Sequence, residues 1–321
     1  MKRSIYTILI FLTTTLLWTA CSDHTDIDLP VERQISFACD AIASRVQETT
    51  GGTIATFRVS SGWTRPSGDW VSLMDGQYVE KRGINWYYSP ASVMPASGTV
   101  DFFAYSPANA SIIDYNHYGP LRDQVELIYD VTNDPLIQHD FMVAEALEQT
   151  ESTISLNFQH MLSSVTVEAK SIISGYVFRI HEVKFYELKR RGVLSGTTSS
   201  SPKTTTWWWN GQSGIADYTV YQKGAVDVAD TYKPITDAAV GPLMVLPQSE
   251  LGDSFVFLDL ELFDTSGNLI NSRGIIAIPY TKDFEMGKKY TFRIQLSPDL
   301  LRSSGEHPGF SATLEVIAED R

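Results

Sequence analysis

Apolar and polar residues alternate along most of this chain. In Thr153-Ile154-Ser155-Leu156-Asn157-Phe158 the apolar side chains fall on one face of an extended segment and the polar ones on the other. Val165, Val167 and Ala169 repeat the pattern after Met161-Leu162-Ser163-Ser164. From Phe255 to Leu262 the even positions are apolar, while Asp259 and Glu261 face the other way. Asp264-Thr265-Ser266-Gly267-Asn268 is turn chemistry, so residues 269–278 are predicted to return as a partner strand. Tyr290, Phe292, Ile294 and Leu296 alternate with Thr291, Arg293 and Gln295. Strand-length runs of this kind, separated by Gly, Asn, Asp and Ser clusters, predict an all-β sandwich. No window of helical length carries a 3.6-residue period. Residues 140–149 are the best helix candidate, and Phe141-Met142-Val143-Ala144 reads equally well as a strand.

A boundary is predicted in residues 169–175, between two strand-rich blocks, which gives an N-terminal β-sandwich domain at 35–170 and a C-terminal one at 171–321. Residues 195–206 are rich in Ser and Thr, with Gly196 and Pro202, and read as a long exposed loop. No short internal repeat is visible.

The chain opens with Met1-Lys2-Arg3, an apolar run from Ile5 to Trp18, and then Thr19-Ala20-Cys21. A basic start, a short apolar core and small residues before a cut site form a secretory signal. The run is too short for a spanning helix of ~20 residues. With Cys21 directly after Ala20, residues 1–20 resemble a bacterial lipoprotein signal peptide whose cysteine is acylated. Several acyl chains, at ~0.8 kcal/mol per buried methylene, would hold the protein on a membrane. Residues 21–34 are polar and acidic and read as a tether between lipid and globule.

Composition narrows the classes further. The 321 residues are 43% hydrophobic, ample for real cores, and carry a formal net charge of -13. There is no basic stripe for a phosphate backbone, so nucleic acid is not an expected partner. With Cys21 lipidated, Cys39 has no second cysteine for an internal disulfide and reads as a small apolar core residue. No HExxH, CxxC, GxSxG, Walker A or GxGxxG motif is present, and the six histidines are scattered. His160, at a strand end, reads as a packed or hydrogen-bonded residue rather than a ligand. The expected role is non-enzymatic, with no cofactor and no metal.

Three features invite a functional reading. Trp207, Trp208 and Trp209 are consecutive. In a strand Trp207 and Trp209 share one face, which suits either core packing or an aromatic platform for a sugar ring or partner surface. The platform leads to the alternative role of a surface glycan-binding lipoprotein. The other two features are strands of similar register at the two ends. Ile35, Phe37, Cys39 and Ala41 form one apolar face; so do Phe310, Ala312, Leu314, Val316 and Ala318. Between the first strand and Gly51-Gly52 lies a polar segment containing Arg45, open to a trypsin-like protease. Either both strands pair inside their own sandwich and Arg45 is a solvated arginine, or cutting at Arg45 releases the first strand. The groove so opened would accept a strand from another molecule.

Several segments together carry a family resemblance: Val100-Asp101-Phe102-Phe103-Ala104-Tyr105-Ser106-Pro107, Asp140-Phe141-Met142-Val143-Ala144, Leu156-Asn157-Phe158-Gln159-His160-Met161-Leu162-Ser163-Ser164-Val165, Leu243-Met244-Val245-Leu246-Pro247-Gln248 and Met286-Gly287-Lys288-Lys289-Tyr290-Thr291-Phe292. With the lipoprotein start and the strand before Arg45, they make the chain resemble the fimbrillin-like proteins, lipoprotein subunits of protease-assembled type V pili. The resemblance implies two transthyretin-like β-sandwich domains in tandem and a precursor on the cell outer membrane, exposed to the surface. It implies that an arginine-specific protease cuts after Arg45. The C-terminal strand, Phe310 to Ala318, would then fill the groove of another pilin subunit, building a fimbrium that supports adhesion.

Overall fold

The computed structural model describes residues 33–41, 54–110, 112–117, 124–199, 203–220, 222–249, 254–299 and 309–321. Every named element is a β-strand. In chain order they are β1 (Ser36–Ala41), β2 (Thr56–Thr64), β3 (Trp70–Arg82), β4 (Asn85–Tyr87), β5 (Thr99–Ser106), β6 (Ile112–His117) and β7 (Gln124–Asp130). Then come β8 (Met142–Gln149), β9 (Thr153–His160), β10 (Ser163–Ser171), β11 (Tyr176–Thr198), β12 (Thr205–Thr219) and β13 (Val226–Val228). The last are β14 (Lys233–Pro234), β15 (Leu243–Val245), β16 (Phe255–Asp264), β17 (Leu269–Pro279), β18 (Lys288–Asp299) and β19 (Gly309–Asp320).

The alternation dictates the faces. In β9 Ile154, Leu156 and Phe158 are buried, and in β16 so are Val256, Leu258, Leu260 and Leu262. Tyr290, Phe292, Ile294 and Leu296 do the same in β18. At the β16–β17 turn, Asp264 Oδ1 accepts the backbone N–H groups of Ser266 and Asn268, which closes the loop the sequence marked. The helix candidate at 140–149 resolves as strand β8, antiparallel to β5, because Met142, Val143, Ala144 and Ala146 are all needed inside.

Among the described residues three sheets enclose two cores. The first runs β1-β9-β8-β5-β2-β3-β4 and surrounds a smaller core centred on Phe37, Phe57, Phe102 and Phe158. The other two face one another across the larger core: β14-β10-β18-β19, with β15 on β10, and β17-β16-β11-β7-β6, with β12 and β13 on β11. Phe178, Ile180, Val183 and Phe185 of β11 pack there with β16 and β18 residues.

Two features of this arrangement differ from the pattern-level picture. The division of the cores does not fall at 170/171. β10 precedes that point, yet Ser164–Ser171 ladder in parallel with Lys289–Leu296, and Val165, Val167 and Ala169 belong to the larger core. β7 likewise pairs with β11, and β6 with β7. The exposed loop expected at 195–206 is corrected at residues 195–199 and 203–206; residues 200–202, Pro202 among them, lie outside the described residues. Leu194 to Thr198 pair with Trp209 to Thr205 in a long hairpin, and Ser195 is buried. Thr is a strand former as readily as a loop residue, and Gly196 is needed because the Trp207 ring lies on it, 2.4 Å from where a Cβ would stand.

Candidate functional site

The first strand occupies a slot with two walls. On one side β1 runs parallel to β9, with Ser36 opposite Thr153 and Ala41 opposite Phe158. On the other, Ile35 N–H donates to Ser92 O at 2.9 Å, Met94 N–H donates to Arg33 O at 2.8 Å, and Gln34 bridges Val93. The Tyr88 hydroxyl donates to Ile35 O at 2.7 Å. Burial raises the pKa of that hydroxyl, opposed by its hydrogen bond with the Ser92 backbone. Arg33 donates its Nε–H to Met94 O at 2.9 Å and a terminal N–H to Pro95 O.

The floor of the slot is aromatic. Phe37 is 7% exposed and meets Phe57 edge-on at 5.4 Å, Tyr88 at 5.6 Å and Phe102 at 6.3 Å between ring centroids. Ile35 is buried beside it, and Cys39 is half-buried against the same core. Residues 35–39 therefore cover an apolar cleft rather than lie on the surface. The side chain of Ala41, the whole of Arg45 and Cys21 lie outside the described residues. Sequence reasoning found Ile35, Phe37 and Cys39 through their period. It missed Tyr88, Ser92 and Arg33, because hydrogen bonds to a distant backbone leave no periodic trace.

The other end of the chain is an edge strand. β19 pairs along its whole length with β18, Asp299 opposite Gly309 through Lys288 opposite Asp320. Phe310, Ala312, Leu314 and Val316 are half-buried against the larger core, and the Phe310 ring is 6.3 Å from that of Phe178. Ala318 is exposed, so the inward face ends at Val316, one position earlier in the alternation than the sequence indicates.

The three tryptophans do not form one platform. Trp207 packs on Phe103 at 5.6 Å, and Trp209 donates its indole N–H to Met161 O at 2.7 Å. Trp208 points the other way and is 40% exposed. The face shared by Trp207 and Trp209 is thus structural, fastening the β11–β12 hairpin across the strands of the first sheet. Beyond them, Lys203 Nζ lies 2.7 Å from Asp101 Oδ2 and 3.9 Å from Glu148. Glu145 stands in the same cluster. Burial pushes its pKa up to about 7; a Thr205 hydrogen bond opposes this, the Asp101 charge adds to it and Lys203 reduces it. Among the described residues no group of three or more His, Cys, Asp or Glu could hold a metal ion.

No curated protein matches the chain. Among solved structures it is similar to a "putative cell adhesion protein" from Bacteroides eggerthii, at 12% identity and a TM-score of 0.49 over 90% of this chain and 96% of that one. It is also similar to the C-terminally truncated tip fimbrial protein Mfa3 from Porphyromonas gingivalis, at 10% identity and a TM-score of 0.46 over 90% of this chain and 100% of that one. A fimbrillin-like family model matches residues 47–315, most of the chain, including β2 to β18 and the start of β19. On that match the chain belongs to the fimbrillin-like family.

Proposed function

We propose that this protein is a structural subunit of a cell-surface fimbrium, exported as a lipoprotein through Cys21 and polymerised by exchange of its first strand. An arginine-specific protease cuts after Arg45, β1 leaves its slot, and β19 of another subunit enters it. The reading is supported above all by the slot between β9 and residues 88–94, filled by a strand whose inward side chains are Ile35 and Phe37. An empty slot exposes apolar surface worth ~1.5–3 kcal/mol for each large side chain withdrawn, together with a row of unpaired backbone groups. β1 pairs with β9 in parallel, the slightly less stable arrangement per residue. A donor inserted antiparallel would form the better ladder, so exchange has a direction. β19 suits the task because it has one ladder neighbour and a half-buried apolar face of the same period.

The test is incubation of the purified full chain with an arginine-specific protease. The expected result is a new N-terminus at Val46 and a ladder of oligomers that persists in mild detergent. A monomer that keeps residues 33–41 after digestion refutes the proposal. The glycan-binding alternative keeps only Trp208 as an exposed member of its platform, since Trp207 and Trp209 are engaged inside.

A further inference from the structure

An edge strand that is to be donated must first be held in place. In β19 the inward side chains Ala312 and Leu314 are only half-buried and Ser311, Thr313 and Glu315 are exposed, so the middle of the strand is weakly seated. Its two ends are pinned differently. At the start, the Phe310 ring covers Gly274, where a Cβ would meet the ring at 3.0 Å. Just past the last residue of β19, the side chain of Arg321 is 0% exposed.

That arginine enters a pocket at the seam between the two cores. Its Nη2 donates to Asp140 Oδ2 at 2.6 Å, and its Nη1 donates to Leu162 O at 3.3 Å and faces Met244 Sδ at 3.9 Å. Its backbone N–H donates to Gly287 O at 3.0 Å. His160 Nδ1 stands 2.7 Å from the same Asp140 oxygen, without the alignment of a hydrogen bond. Asp140 Oδ1 and His160 Nε2 are buried with no hydrogen-bond partner among the described residues. His160 ends β9 in the sheet around the smaller core, and Asp140 lies two residues before β8 of that sheet. Leu162, Met244 and Gly287 belong to the larger one or its edge. A planar guanidinium suits such a site: it can donate in several directions at once, and Asp140 keeps an acceptor for a second parallel N–H.

We propose that this seam pocket is a guanidinium-recognition site, and that by holding Arg321 it latches β19 into its own sheet until the strand is drawn out for donation. The proposal rests on the donor-strand reading above. Removing one partner of a buried ion pair leaves the other charge uncompensated, so the latch is lost from either side.

Hydrogen exchange of residues 309–320, followed by mass spectrometry in the full chain, reads the latch directly. Arg321→Ala is expected to raise exchange there at least tenfold while β10 and β16 keep their protection. Asp140→Asn should do the same, and the double variant should add little beyond either single change. Arg321→Lys keeps the charge but not the planar fork, and is expected to give an intermediate rate. Unchanged exchange in Arg321→Ala overturns the latch, as does an equal rise in β10 and β16, which would mean a general loss of stability. Wild-type exchange in Arg321→Lys overturns the guanidinium specificity. Protease-driven assembly separates the two readings. If the wild type forms no ladder while Arg321→Ala loosens β19, the donor-strand reading fails and the latch stands. If the ladder forms and β19 exchange is indifferent to Arg321, the latch fails alone.

Discussion

Replacing Phe37 by Ala tests whether β1 is a separable plug. The ring is 7% exposed and touches three other aromatic rings within 6.3 Å. Buried Phe→Ala changes cost ~3–5 kcal/mol. The lower end applies here, because β1 lies at the start of its sheet and its surroundings can relax. A loss of ~3 kcal/mol is roughly a hundredfold change in an opening equilibrium. The question is which equilibrium receives it. If β1 leaves its slot independently of the rest, the change falls on local opening. Hydrogen exchange in residues 35–41 and 153–158 should then rise about a hundredfold, while β10 and β18 in the larger core keep their rates. Bulk urea unfolding should shift far less than ~3 kcal/mol implies, since the chain can shed β1 before it unfolds. A single cooperative transition displaced by the full amount, with exchange rising equally in β18, would show that β1 is an integral part of one folding unit. The slot reasoning would then be wrong.

Other outcomes follow from the same structure. Glu145 has a folded-state pKa of about 7, above its ordinary 4.5, so its neutral form is favoured in the fold. The stability this contributes is complete below about 4.5 and is lost as pH rises through about 7. Melting temperatures between pH 5 and 8 should therefore fall with pH in the wild type and vary less in Glu145→Gln; parallel profiles would refute the assignment. Trp209→Ala removes a packed indole and its hydrogen bond to Met161 O, and should cost ~3–5 kcal/mol in denaturant unfolding. Trp208→Ala should stay within ~0.5 kcal/mol of wild type, and a clear loss of retention on immobilised polysaccharide in that variant would favour the glycan-binding alternative. Gly196→Ala drives a Cβ into the Trp207 ring at 2.4 Å and should destabilise by ~1–3 kcal/mol. An unchanged melting temperature would show that the ring moves aside freely.

Local pattern determined a good deal of this protein by itself. A two-residue period needs only the order of side chains, so the buried faces of β9, β10, β16 and β18 and the turn at Asp264 were all readable in advance. The terminal strands were readable for the same reason. What the period does not encode is the partner. β1 and β19 look alike in sequence, yet β1 is parallel to β9 and walled by Tyr88 and Ser92, whereas β19 ladders antiparallel with β18 at the edge of another sheet. The allotment of β10 to the larger core, and the extension of β11 and β12 through a stretch that looked like loop, also depend on distant neighbours. So does the burial of Arg321, a residue whose type alone indicates solvent, beside an aspartate 181 positions away. Alternation is a property of a few adjacent residues; pairing and the satisfaction of buried charge are properties of chain segments that meet only once the sheets have closed.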